Sequence, residues 1–129
     1  MPTINTGIKL DSQLLNLKEI QFSEVRPEVG ELLVNNEEMI AAFKTVRDQV
    51  VFTNKRIFVI NVQGITGKKT SYFSYPYSKI QYFGVETAGL LDIDCELVAA
   101  FSNGTVLQFD FKSEVDIRKI SSLISGYIL

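Results

Sequence analysis

From Met39 to Phe111, short runs of β-branched and aromatic residues recur between polar or glycine-bearing breaks. That is the pattern of successive antiparallel strands. The most apolar stretch lies at 48–63, where Val50, Val51 and Phe52 precede Thr53-Asn54-Lys55-Arg56, and Ile57, Phe58, Val59, Ile60 and Val62 follow. The arrangement predicts a β-hairpin whose second strand is apolar on both faces. Ile57 and Val59 point one way, and Phe58, Ile60 and Val62 the other. An antiparallel sheet usually shows one face to water, so the second face of this strand needs a cover.

Five more strands follow from the same reading. They are Met39–Lys44, Thr70–Tyr75, Ile80–Thr87, Cys95–Phe101, and a last one from Thr105 to Phe111. Pro76 stops the second of these, because it cannot donate a ladder hydrogen bond. Asn103-Gly104 predicts a two-residue type I′ hairpin with positive φ at both positions. The flanks read as helical. Leu10, Leu14, Leu17 and Ile20 recur at helical spacing, predicting a helix over 11–24 capped by Asp11 or Ser12, with Pro27 and Gly30 in the connector after it. That helix either closes one end of the core or docks on a neighbouring subunit. Ser113-Glu-Val-Asp116 resembles a capping box, and Ile117, Ile120, Leu123, Ile124, Tyr127 and Ile128 form the apolar stripe of a C-terminal helix. Residues 1–30 are thus a helix and connector, and residues 31–129 the main domain, in one structural unit.

With 129 residues the chain suffices for one domain with a real core. A net charge of -2 argues against a general nucleic-acid binder, which needs a basic footprint. The chain has no histidine, which removes the commonest general base and a principal zinc ligand. The single cysteine, Cys95, excludes an intramolecular disulfide and reads as a small buried hydrophobe. Neither a signal peptide nor a membrane-spanning run is visible, so a cytoplasmic location is expected.

Four segments carry a resemblance. Ala42-Phe-Lys-Thr-Val-Arg-Asp-Gln-Val-Val-Phe-Thr-Asn-Lys-Arg-Ile57, Gln63-Gly-Ile-Thr-Gly-Lys-Lys69, Tyr75-Pro-Tyr77 and Val85-Glu-Thr-Ala-Gly89 resemble, in order, the bacterial pleckstrin-homology-like (PH-like) domain family. The resemblance spans about residues 10–129. It implies a mainly β (α+β) fold: a partly open seven-stranded antiparallel barrel capped by the C-terminal helix, here with an additional N-terminal helix. It also implies a non-catalytic module that assembles into a ring-like homo-oligomer of about five subunits, an unknown protein partner, and no cofactor or metal. The phosphoinositide-binding loop of eukaryotic PH domains has as its counterpart the short Thr45-Val46-Arg47, too weakly charged to cradle a polyphosphate, so headgroup binding does not carry over.

The residues themselves offer few sites. No catalytic, cofactor or metal constellation stands out. Asp92, Asp94 and Glu96 lack the further ligands of a calcium loop. Lys44, Arg47, Lys68 and Lys69 are candidate contacts for an anion or ligand. Together with Lys55 and Arg56 they support an alternative reading, peripheral binding to a membrane or an anionic lipid headgroup. Phe58, Ile60, Tyr72 and Tyr75 are candidates for an oligomer interface, since tyrosine is enriched at such surfaces. Phe73 and Tyr75 are expected on the face opposite Tyr72.

Overall fold

The computed structural model describes residues 14–67, 69–87, 95–112 and 117–129. Eight strands make one sheet: β1 (Leu14–Ile20), β2 (Met39–Lys44), β3 (Gln49–Thr53), β4 (Arg56–Gln63), β5 (Lys69–Pro76), β6 (Ile80–Thr87), β7 (Cys95–Phe101) and β8 (Val106–Phe111). Their order is β5-β4-β3-β2-β1-β8-β7-β6. Neighbours are antiparallel except β1 and β8, which run parallel. The sheet curls into a partly open barrel with β5 and β6 at its two ends. Among the described residues two α-helices accompany it, α1 (Pro27–Leu32) and α2 (Ile117–Ile128).

The helix expected over 11–24 is not formed. Residues 14–20 are a strand, followed by a 3₁₀ turn at Phe22–Glu24 and then by α1. The boundary drawn at residue 30 falls within α1. The apolar spacing has a different cause. Leu17 joins the core inside the barrel, while Ile20 joins a second core outside it. Three residues along a strand reverse the face, so a spacing that would align two side chains on a helix here feeds two separate cores. Asn16, in the left-handed region at φ 59°, marks the register shift between Leu14 and Leu17. The expected capping box at 113–116 lies outside the described residues.

The inner core is aromatic. Phe43, Phe52, Phe109 and Phe111 stack with ring centroids 4.8–6.5 Å apart. Ile120 and Ile124 of α2 are buried against them, which is the stripe read from the sequence. Tyr77 is buried as well, donating its hydroxyl to the Thr53 carbonyl at 2.7 Å, and desolvation pushes its ionisation far above the usual tyrosine range. Cys95 is buried in the same core.

The outer core explains the two-faced strand. Ile57 and Val59 of β4 point inward, and Phe58 and Ile60 point outward, as the alternation requires. Val25, Val29 and Leu33, from the segment around α1, close over Phe58, Ile60, Val51 and Ala42. This strap is tied down by polar contacts. Gln49 accepts the Arg26 N–H at 3.0 Å and donates to the Glu24 carbonyl at 3.1 Å. Arg56 donates to the Leu32 carbonyl at 2.7 Å and pairs with Glu37 at 2.8 Å. The cover comes from the chain itself. Phe58 and Ile60, expected at an oligomer interface, are fully buried beneath it and present no surface.

The β7–β8 connection also departs from expectation. Gly104 lies at φ 93°, but Asn103 is not among the described non-glycine residues with positive φ. The Gly104 N–H donates to the Phe101 carbonyl at 3.0 Å and the Phe101 N–H to the Thr105 carbonyl at 2.8 Å. This is a three-residue loop with a glycine bulge rather than a type I′ turn.

Candidate functional site

The strand connections β2–β3 and β4–β5 meet at one end of the barrel. Thr45–Asp48 closes on itself: the Thr45 N–H donates to the Asp48 carbonyl at 2.9 Å, and the Asp48 N–H to the Thr45 hydroxyl at 3.1 Å. Gly64–Gly67 closes likewise, with the Gly67 N–H on the Gly64 carbonyl at 3.2 Å and both glycines at positive φ. Arg47 donates from its guanidinium to the Gly64 carbonyl, which joins the two turns. The Asp48 carboxylate is turned inward, accepting the Val62 N–H at 2.9 Å and the Asn61 amide at 3.2 Å. At the tips of these turns Val46 and Ile65 are fully exposed, at 101% and 104%.

Cations surround the tips. Lys44, at the end of β2, sits directly across from Lys18 of β1 in the antiparallel register. Both are exposed, and with Asn16, Thr45 and Val46 they line a cleft of about 330 Å³. Like charges directly opposed across strands are destabilising, and an anion between them removes the penalty. Lys69 is exposed at the base of the second turn, opposite Gln63. Lys68 lies outside the described residues. Of the basic candidates, the structure therefore brings Lys44, Arg47 and Lys69 to one end. Lys55 and Arg56 are at the other end of β3, where Arg56 is committed to Glu37 and stacked 4.3 Å over the Phe58 ring. Lys18 was not foreseen, because it lies in the segment whose spacing reads as helical. The alternation of Leu17 with Lys18 is the signal that a strand reading would have used.

The Glu37 carboxyl shows how much of the charge is structural. Burial alone would raise it, but hydrogen bonds from Arg56, Thr53 and the Val34 N–H outweigh that and hold it below the usual range. On the far face, Glu86 and Asp110 flank Glu96 in the β6–β7–β8 registers. Burial and these two neighbours push Glu96 up, against a hydrogen bond from Gln108 at 2.6 Å. Asp92 and Asp94 lie outside the described residues. Among the described residues no cluster of three or more acid, cysteine or histidine side chains could hold a metal ion.

A second cavity, about 290 Å³, lies between the end of β5 and the β7–β8 loop, lined in part by Tyr75, Lys79 and Phe101. Tyr75 faces inward, its ring 5.4 Å from Phe101, and desolvation pushes its hydroxyl up to about 12. Tyr72 is on the outer face, half-buried beside the strap and bonded to Glu28 at 3.3 Å. Phe73 and Tyr75 thus lie opposite Tyr72 in the β5 register, as alternation predicts. Exposed apolar side chains persist on the two end strands: Phe73 on β5, and Tyr82 and Val85 on β6. Among the described residues no helix is long and apolar enough to cross a membrane.

Comparison with known proteins follows the same lines. The family model for the bacterial PH domain matches residues 9–128. The uncharacterized protein YjqA of Bacillus subtilis strain 168 is 39% identical over 119 residues, covering 91% of this chain and 95% of its own. A solved protein with a pleckstrin-homology domain from Shewanella loihica PV-4 superposes with a TM-score of 0.75 at 40% identity, covering 89% of this chain and 99% of that one. A pleckstrin-homology domain from Shewanella amazonensis SB2B gives a TM-score of 0.61 at 42% identity, covering 87% and 91%.

Proposed function

Because the chain belongs to the bacterial PH domain family, we propose that it works without catalysis, as an interaction module that assembles with copies of itself into a closed ring and presents that ring to a protein partner. The observation that carries this reading is the pair of sheet ends. Among the described residues β5 and β6 terminate the strand order, each with one side free of a strand neighbour in the sheet, and they carry Phe73 and, in β6, Tyr82 and Val85, at 36%, 60% and 37% exposure. Open strand edges with apolar side chains are templates for pairing. The two ends are unlike, so contact between them is head-to-tail, and head-to-tail contacts close into rings when the rotation divides the circle. A cytoplasmic setting belongs to the same reading.

The strap already covers the outer face of β4, so the drive to assemble comes from the sheet ends and not from Phe58 and Ile60. Light scattering behind size exclusion at micromolar concentration tests it. The expected mass is that of several chains for the wild type, falling toward one chain for Tyr82→Lys combined with Val85→Lys. A wild-type mass of one chain, unchanged on concentration, overturns the proposal.

A further inference from the structure

Three separate pieces of chain build the cavity at the end of β5. Tyr75 comes from β5, Lys79 from the 3₁₀ turn Tyr77–Lys79 that leads into β6, and Phe101 from the end of β7. Backbone bonds fix these pieces relative to one another. The Ser102 N–H donates to the Lys79 carbonyl at 3.1 Å, and the Tyr77 N–H to the Lys55 carbonyl at 3.2 Å. The β7–β8 loop is braced by its own bonds, among them the Thr105 N–H on the Asn103 side-chain oxygen at 3.0 Å. The cavity is therefore preformed, as ligand sites usually are. Its floor and its mouth differ in chemistry. The floor is the tilted pair of Tyr75 and Phe101; Phe101 is buried but Tyr75 only half-buried, so the fold does not close over the pair. Burial keeps the Tyr75 hydroxyl protonated up to about 12, and the floor carries no charge at neutral pH. At the mouth, Ser74, Ser102 and Thr105 bring hydroxyls, and Asn103 an amide N–H, its oxygen being taken by Thr105. Lys79 is exposed and makes no ion pair among the described residues, and no acid is among the described residues that line the cavity.

We infer that this cavity binds a small aromatic carboxylate, with its ring on Tyr75 and Phe101 and its carboxylate at Lys79 and the hydroxyls of the mouth. The lining selects this class. An aromatic floor favours a ring set offset or edge-on against it. A single cation among neutral donors matches one negative charge, and the flexible stem of lysine lets its ammonium meet that charge at the mouth. A neutral ring would leave Lys79 without a counter-charge, and a small anion without a ring would leave the floor in water. The volume of about 290 Å³ sets the size. At about 30 Å³ for each water-sized atom, roughly ten non-hydrogen atoms fill it. The inference rests on residues of one chain and does not depend on assembly into a ring.

The test uses the full chain and phenylacetate as the probe, in saturation-transfer NMR read on the ring protons of the probe, a signal available for one chain or for an assembly. Binding at about a millimolar is expected, ordinary for a ligand of this size. Phenylacetamide, the same shape without the charge, is expected to bind at least about threefold more weakly, and acetate, the charge without the ring, more weakly still. Lys79→Gln should abolish the preference for the acid over the amide while the amide continues to bind. Ser74→Trp, which sets a large side chain at the edge of the cavity, should weaken acid and amide alike. Ser74 and Lys79 are both exposed, so thermal melts of the two variants are expected to match the wild type. No transfer to phenylacetate at about tenfold above the expected constant, equal binding of acid and amide by the wild type, or an acid preference that survives Lys79→Gln would each overturn the inference.

Discussion

Replacing Glu37 with Gln tests the joint between the strap and the barrel. The Glu37 side chain is 0% exposed and Arg56 is 20% exposed. Its carboxylate takes four donors: Arg56 Nε at 2.9 Å and Nη2 at 2.8 Å, the Thr53 hydroxyl at 2.7 Å and the Val34 N–H at 3.0 Å. Glutamine keeps the shape but turns one acceptor oxygen into a donor, facing groups that are donors already. It also leaves the guanidinium without its counter-ion. Removing one partner from a largely buried charged pair of this kind costs about 2–4 kcal/mol. For a domain of this size that is a fall of roughly 8–16 °C in melting temperature.

The pH dependence gives a second handle on the same residue. Glu37 is held below the ordinary carboxylate value in the folded chain, so its contribution is present above the unfolded value and lost as pH falls through the folded one. Urea melts of wild type and Glu37→Gln at neutral pH should therefore differ by the amount above, and the gap should narrow as pH falls below about 4. A gap under about 0.5 kcal/mol at neutral pH, or one that acid does not narrow, would refute the reasoning and reassign the strap's anchorage to its apolar contacts and the Gln49 hydrogen bonds.

Two further outcomes follow from the packing. Ile124, fully buried where α2 meets the inner core, should cost about 2–5 kcal/mol on change to Ala, while exposed Ser122 on the other side of α2 should cost under about 0.5 kcal/mol, both read from denaturant midpoints. Gly104 holds positive φ, so Gly104→Val should destabilise clearly more than Gly104→Asn in the same melts.

Much of the sheet is legible in the alternation. The ranges read for β6 and β7 coincide with the observed ones, Pro76 ends β5, and Ile57 and Val59 lie on the face of β4 opposite Phe58 and Ile60, as read from the alternation. The apolar stripe of α2 was equally plain. What failed was β1. A strand between two cores needs apolar residues on both faces, and Leu17 and Ile20 meet that need at a spacing that a helix shares. The need for a cover over Phe58 and Ile60 was also readable, but not its source, because Val25 and Val29 belong to a short segment with too few turns to show a period. At the loop end, Lys44, Arg47 and Lys69 were named from their charge. Lys18 depended on the β1–β2 register, and the exposure of Val46 and Ile65 depended on two turns closing, which no hydrophobicity pattern conveys.

The parallel pairing of β1 with β8 sets the order in which the barrel can be completed. Leu14 meets Phe109 and Leu17 meets Phe111, contacts that span most of the chain. Contacts of such separation must wait for everything between them, and they slow folding because the intervening chain loses its freedom first. On a ribosome β1 emerges well before its second neighbour, with the six strands between them made in the interval. During synthesis β1 can pair with β2, yet its other edge and the inward side of Leu17 stay uncovered until β8 arrives. The nascent chain thus carries an open strand edge while everything between β1 and β8 is made, an interval during which a chaperone or a neighbouring nascent chain competes with β8 for the same hydrogen bonds.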